Sequence, residues 1–559
     1  MQLEKSLPSA ERSPPPGAAM PAGISRRLAS WPGRLLALAI SLFTVVPLAV
    51  VMTSSLSPDP AIWQHLLEFA LPELLRNTLV MLLGVSAGVL LIGVSLAWLV
   101  AVYQFPGRRF FSWALMLPLA MPAYVLAFAQ VGIFEFTGPL QSLLRPHFDN
   151  MRWFPEIRST WGLLLVMSLA FYPYVYLLAR NAFATMGRRA LEVGQSLGLS
   201  PRQGFWRIAL PMARPWIMGG LLLVVMESLA DFGTVAVFNY DTFTTAIYKA
   251  WFALFSLDTA KQLASLLVVM VLVLLLLEQY SRGRRAYSQA GRTAPLPRLT
   301  LTGWRGWAAC AAASLVLLLA FVLPLLQLGY WASRDFANQF SADFLGYAWR
   351  SVLLSLLAAV LVTLIALVLA YLVRRDGGAV VKLAARVATI GYAIPGTVLA
   401  VGVFVPVAWL DNQIIALLGL GGEVTAVFKG TLLAMLLAFV ARFLAVGHSA
   451  VDAAMNRITR SHDEAARNLG VAGWALLYRV YLPLLSGGLF TAVLMVFVDV
   501  MKEMPITLMT RPFGWDTLSV RVYNMTSEGM WDQAALPAIA IVLAGLLPTI
   551  LLSRQQDVA

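Results

Sequence analysis

Four acidic residues in apolar surroundings are the first candidates for chemistry. Glu227 and Asp231, and again Asp499 and Glu503, lie four residues apart, and the pairs are separated by 272 residues (499 − 227 and 503 − 231). A spacing of four places both carboxylates of a pair on one helix face. Ionisable groups at membrane depth are costly, face a bundle interior and mark pathways for ions or polar substrates. Four of them along one path favour a cationic substrate and disfavour a purely anionic one. The structural alternative is that Asp499 or Glu503 pairs with Lys502 or Arg521, or caps a helix near the outer surface.

A second motif repeats at the same offset. Glu192, Gly198, Ile208, Leu210 and Pro211 recur as Glu464, Gly470, Val480, Leu482 and Pro483. The run Glu464-Ala465-Ala466-Arg467 is read as a short helix that Gly470 ends, followed by an amphipathic stretch up to the proline that opens the next membrane helix. The result is expected to be a compact helix-turn-helix knob. The first copy reads Glu192-Val193-Gly194 and departs from the second at both alanines, so the two knobs are expected to differ in strength.

The elements that must carry these residues are set by composition. The chain is 59% hydrophobic and only 12% charged, against about 25% charge in soluble domains, and its mean hydropathy is +0.76. Apolar runs of about 20 residues suit helices crossing a bilayer. The alternating ten-residue pattern of a membrane β-barrel does not occur, so the expected fold is an all-α membrane protein. About twelve spans are expected: near 35–52, 78–103, 110–134, 160–180, 213–238 and 260–280, then 306–330, 350–373, 387–410, 427–447, 484–504 and 533–553. The halves would be residues 35–280 and 306–553, with tails at 1–34 and 554–559. Leu96 to Val100 (Leu-Ala-Trp-Leu-Val) matches Leu369 to Val373 (Leu-Ala-Tyr-Leu-Val), which supports a parallel duplication after an even number of spans.

The formal net charge of +13 sits in short loops rather than in a basic domain, which argues against nucleic-acid binding. The linker 281–305, with Arg282, Arg284, Arg285, Arg292, Arg298 and Arg305, falls on one side with Arg108/Arg109, Arg188/Arg189 and Arg374/Arg375. By the positive-inside rule that side, and both termini, are expected to be cytoplasmic. Residues 1–34 resemble a signal peptide only superficially: the apolar run after Arg34 is long and no small-residue cleavage site follows it, so an uncleaved first helix is expected. Cys310 has no partner for a disulfide within the chain and is read as packing. His65, His147, His448 and His462 lack metal-ligand spacing and are read as structural.

The duplicated Glu-Gly-Leu-Pro loop resembles the EAA loop of ABC importer permeases. The resemblance implies the type I importer fold, with two pseudo-symmetric six-helix halves, and loops that dock on a cytoplasmic ATPase through Glu192, Gly198, Ile208 and Pro211 and through Glu464, Ala465, Ala466, Gly470 and Pro483. None of Lys5, Lys249, Lys261, Lys382, Lys429 or Lys502 follows a glycine, so the chain lacks a P-loop. It is therefore not expected to be an enzyme. ATP and Mg²⁺ would be bound by two copies of a separate ATPase, and no cofactor by this chain. Leu229 to Val235 (Leu-Ala-Asp-Phe-Gly-Thr-Val), Lys502 to Pro505, Arg511 to Leu518, Pro122 to Ala127 and Gly138 to Gln141 further resemble the ferric-iron permeases of this class. That resemblance implies a bacterial inner-membrane importer, membrane lipid around it, a periplasmic substrate-binding protein as partner and ferric ion as substrate. Glu227, Asp231, Asp499, Glu503 and Tyr124 would then supply oxygen ligands to a hard cation, loosely enough to release it. Thiamine, a polyamine or a phosphonate remain alternative cargoes. A gradient-driven secondary transporter is the alternative of another class, and the paired docking loops argue against it.

Overall fold

The computed structural model describes residues 31–56, 60–148, 153–282, 298–334, 336–419, 426–471 and 473–558. Most of the amino-terminal tail (1–30) and most of the arginine-rich linker (283–297) lie outside the described residues. Helices make up nearly everything described, and the one pairing of strands joins Tyr103–Gln104 to Leu299–Thr300 in parallel. Backbone groups in lipid find no water, so a chain this apolar satisfies them within helices.

Ten of the described helices are long and apolar enough to cross a membrane, and the pair Trp474–Leu484 and Ser486–Lys502, bent by 79°, makes up to eleven. Against an expectation of about twelve, the last segment contributes the shorter apolar stretch Trp531–Leu546. Two expected spans are broken at equivalent places. The 110–134 segment consists of Arg108–Ala114, a 3-10 turn at Leu117–Ala120 and a new helix at Ala123–Phe134. The 387–410 segment repeats this with Ala379–Thr389, Ile390–Ala393 and Gly396–Leu417. The cause is Pro122 and Pro395: each removes an N–H and pushes the residue before it out of the helical region, Met121 to ψ 121° and Ile394 to ψ 130°.

The opening helix of each half packs on the other half. Trp31–Thr53 lies along Ala379–Thr389 and Gly396–Leu417. Arg34 Nε pairs with Asp376 at 2.8 Å, and Thr44 donates to the Ala388 carbonyl at 3.0 Å. A Cβ on Gly402 would stand 2.6 Å from the Pro47 carbonyl oxygen, so only glycine permits this approach. Reciprocally, Trp304–Leu317 and Leu323–Arg334 lie against Arg108–Ala114 and Ala123–Phe134, where Gln130 donates to the Leu319 carbonyl. Within each half, the long helices Leu71–Val102 and Ala342–Asp376 pack against Thr160–Ser196 and Leu433–Met455 respectively. This frame brings the fifth segments of both halves to a common centre.

Candidate functional site

A cavity of about 150 Å³ lies between the halves, and all four sequence-selected acids, Glu227, Asp231, Asp499 and Glu503, line it together with Tyr124. Three elements from each half contribute to its wall. The first half supplies the turn at Pro118–Tyr124, Tyr174 on Thr160–Ser196, and the end of Leu210–Ala230. The second supplies Tyr392, Arg442 on Leu433–Met455, and the end of Ser486–Lys502. Among the described residues no three His, Cys, Asp or Glu side chains are grouped as a metal cage.

The paired acids do not share one continuous helix face. The helices stop at Ala230 and Lys502, and Asp231 and Glu503 turn the chain into extended backbone at ψ 131° and ψ 127°. Each then turns its carboxylate onto the first turn of the short helix that follows. Asp231 Oδ1 accepts from the backbone N–H groups of Thr234 at 2.9 Å and Val235 at 3.2 Å, and Oδ2 accepts from the Thr234 hydroxyl at 2.8 Å. Glu503 Oε1 accepts from Ile506 N–H at 3.0 Å, and Oε2 from Thr507 N–H at 3.3 Å. These N–H groups have no partner within their own helices, so an acid there satisfies them and complements the positive end of the helix dipole. The capping alternative thus describes Glu503, and Asp231 with it.

Glu227 and Asp499 lie one turn earlier. Glu227 Oε1 accepts from the Tyr392 hydroxyl of the other half at 3.0 Å. Asp499 faces Lys502 Nζ at 3.9 Å, and Lys502 itself donates to the Leu119 carbonyl of the first half at 3.1 Å. Arg442, 8% exposed, donates through Nη1 to the Ile394 carbonyl at 3.4 Å. The wall therefore holds two bases beside its four acids. Arg442 had a readable signal, a lone arginine inside an apolar span; Tyr392 had none.

The two docking loops share a core. Gly198 and Gly470 both have φ of +77°, the left-handed region that favours glycine. In each, the next N–H bonds back across the turn: Leu199 to the Gly194 carbonyl at 2.8 Å, and Val471 to the Ala466 carbonyl at 2.9 Å. This is the Schellman arrangement that closes a helix. Each loop then passes through a π turn, Phe205–Ala209 or Leu477–Tyr481, immediately before Leu210-Pro211 or Leu482-Pro483. Glu192 and Glu464 are exposed, as are the equivalent apolar residues Leu197 and Leu469, and Trp206 and Tyr478. Ile208 and Val480 are partly buried, Pro211, Pro483 and Ala465 are exposed, and Ala466 is buried.

The expected short helix exists only in the second copy, as Arg460–Asn468. In the first, Glu192 rides on the uninterrupted 37-residue helix Thr160–Ser196. Arg374 anchors the separate second helix, donating to the Met455 and Ile458 carbonyls at 2.7 and 2.9 Å and to Asp463 at 3.0 Å. Tyr481 completes the cluster through a 2.6 Å bond to Asp463. From sequence Arg374 was read for topology alone; its place beside Asp463 depends on the tertiary fold.

Two broken, pseudo-equivalent bundles around a central polar cavity, each with the same surface loop, define a multi-pass membrane transport component. The chain belongs to the family described as binding-protein-dependent transport system inner membrane component, which matches residues 90–281 and 362–558, once in each half. Among individual relatives, it is 26% identical over 489 residues to the Fe(3+)-transport system permease protein FbpB 2 of Haemophilus influenzae, covering 86% of this chain and 90% of that one. It is 23% identical to the ferric transport system permease protein FbpB of Actinobacillus pleuropneumoniae, covering 77% of this chain and 63% of that one. One stretch, 38% of this chain, is 24% identical to 74% of the sulfate transport system permease protein CysT of Synechococcus elongatus.

Proposed function

We propose that this chain is the complete translocation pathway of an ATP-driven, binding-protein-dependent importer for ferric iron, embedded in the bacterial inner membrane with both termini cytoplasmic. The observation that carries the importer reading is the duplicated loop, with the same left-handed glycine, the same closing hydrogen bond and exposed apolar residues at equivalent positions. Two such surfaces on one chain suit two copies of a cytoplasmic ATPase, one per loop, without a second permease chain. ATP binding would draw the ATPases and the loops at Glu192 and Glu464 together, opening the cavity toward a loaded periplasmic binding protein. Hydrolysis reverses the change. Each ligand acts by preferring one conformation, so ATP and the binding protein must influence each other's affinity.

Iron as cargo is supported by the names of the relatives that align along most of the chain, and by the oxygen-rich wall formed by Glu227, Asp231, Asp499, Glu503 and Tyr124. Carboxylate and phenol oxygens suit a hard cation, and the lack of a closed cage among the described residues suits transit over storage. The test is ATP-dependent uptake of labelled ferric iron into proteoliposomes holding this chain, its ATPase and its binding protein. Iron uptake that stops without ATP supports the reading. Uptake of another solute in place of iron retains the importer and rejects the cargo, and uptake driven by an ion gradient without the ATPase rejects both.

A further inference from the structure

The cavity's four carboxylates divide into two kinds. Asp231 and Glu503 are engaged by backbone N–H groups. Among the described residues neither Glu227 nor Asp499 is engaged by a backbone N–H: Glu227 accepts from the Tyr392 hydroxyl, and Asp499 has the Lys502 ammonium at 3.9 Å and the more remote charge of Arg442. A separate observation points to a ligand here: the Tyr124 hydroxyl is buried in the cavity wall, with the residue 7% exposed, and has no hydrogen-bond partner among the described residues. Buried polar groups are rarely left unpaired without a reason.

The bases are also informative. At the 272-residue offset the first-half counterparts of Arg442 and Lys502 are Ala170 and Ala230, and both alanines line the same cavity. The acids obey the pseudo-symmetry and the bases break it. Arg442 belongs with the capping acid: a Cβ on Gly396 would meet Glu503 Oε1 at 2.7 Å and Arg442 Nη1 at 2.9 Å, so the two groups converge on one point. Lys502 instead sits between Asp499 of its own half and the Leu119 carbonyl of the other.

We propose that Glu227, Asp499, Tyr392 and Tyr124 form an open oxygen-donor site for a multivalent cation, and that the Lys502 ammonium is its resident counter-ion, which arriving cargo displaces. The proposal rests on the permease reading and deepens it by assigning the cargo site. Counted by formal charge with Lys502 withdrawn, the wall carries four acids and Arg442, a sum of −3 that one trivalent cation neutralises. Displacing Lys502 also breaks its bond to Leu119, one of the direct links between the halves at the cavity. Arrival of cargo is thereby connected to freedom of the halves to move apart. With no cargo, the tethered ammonium occupies the acidic site and discourages smaller cations from crossing.

The test uses the full chain in phosphatidylcholine nanodiscs with terbium(III) as the probe, read by luminescence sensitised through the aromatic side chains. Glu227→Gln combined with Asp499→Asn is expected to weaken binding by at least about tenfold, since it removes both free anionic ligands. Lys502→Met is expected to strengthen it by about tenfold, because it removes the competing cation beside Asp499; a damaged fold does not produce tighter binding. Unchanged binding in the double variant, or weaker binding in Lys502→Met, overturns the proposal. The permease reading fails separately: wild-type proteoliposomes without ATP-driven iron uptake reject that reading even when terbium binds, whereas iron uptake that survives in the double variant rejects the site alone.

Discussion

Replacing Gly470 with alanine separates the two docking loops by their construction. Nothing lies within 4 Å of a Cβ at Gly470, so the cost is that of holding an L-residue at φ +77°, about 1–2 kcal/mol. The helix it closes, Arg460–Asn468, has nine residues, too few to persist without its caps and tertiary contacts. Glu464 and Ala465 lie in its middle, so strain at Gly470 is relieved by melting the docking surface itself. Gly198 has the same φ but ends a helix of 37 residues, whose preceding turns hold Glu192 when the last one frays. A cost of 1–2 kcal/mol corresponds to a factor of about 5–30 in the folded population. Gly470→Ala is therefore expected to weaken ATPase binding to the nanodisc-embedded chain by that factor, and Gly198→Ala by less than about threefold. Fluorescence titration with labelled ATPase measures both, and Gly470→Asn, which tolerates the left-handed region better, is expected to recover part of the loss. Equal losses for Gly470→Ala and Gly198→Ala, or no recovery with asparagine, refute the reasoning.

Arg374→Ala removes the donor to the Met455 and Ile458 carbonyls and the partner of Asp463; loosening by about 2–3 kcal/mol is expected to appear as faster trypsin cleavage after Arg457. Asp231→Ala leaves the Thr234 and Val235 N–H groups without their acceptor, at about 1–3 kcal/mol. Its thermal midpoint in detergent is expected to fall further than that of Glu227→Ala, which frees only a tyrosine hydroxyl; the reverse order contradicts the capping role. Arg34→Ala breaks the 2.8 Å pair that ties the first helix to Asp376 of the second half, a contact that solvent screens, so the loss is small. Disulfide trapping between cysteines placed on the Trp31–Thr53 and Ala379–Thr389 helices is expected to slow accordingly.

The apolar runs, the duplication and the acids were legible because each depends on residue type and spacing alone. Helix ends were less so: Pro122 and Pro395 were visible, but the apolar residues flanking them read as one span because hydropathy is blind to a backbone break. For the same reason Asp231 was placed on a helix face, although the helix stops one residue earlier. The two copies of the loop look alike in sequence, yet only the second has a break before its glutamate. The meeting of Tyr392 with Glu227, and of Lys502 with Leu119, spans 165 and 383 residues. No local pattern encodes such pairs.

The exchange of opening helices also sets a timetable for biogenesis. Trp31–Thr53 enters the membrane before its packing surface at Ala379–Thr389 exists, and 336 residues (389 − 53) must still be synthesised. At about 5–20 residues per second that is a wait of roughly 17–70 seconds. During it, the face of the first helix around Pro47 that Gly402 later covers is turned to lipid or a chaperoning neighbour. Nascent chains stalled within the linker should therefore hold their first helix loosely and be degraded in preference to full-length ones, making completion of the second half the event that stabilises the first.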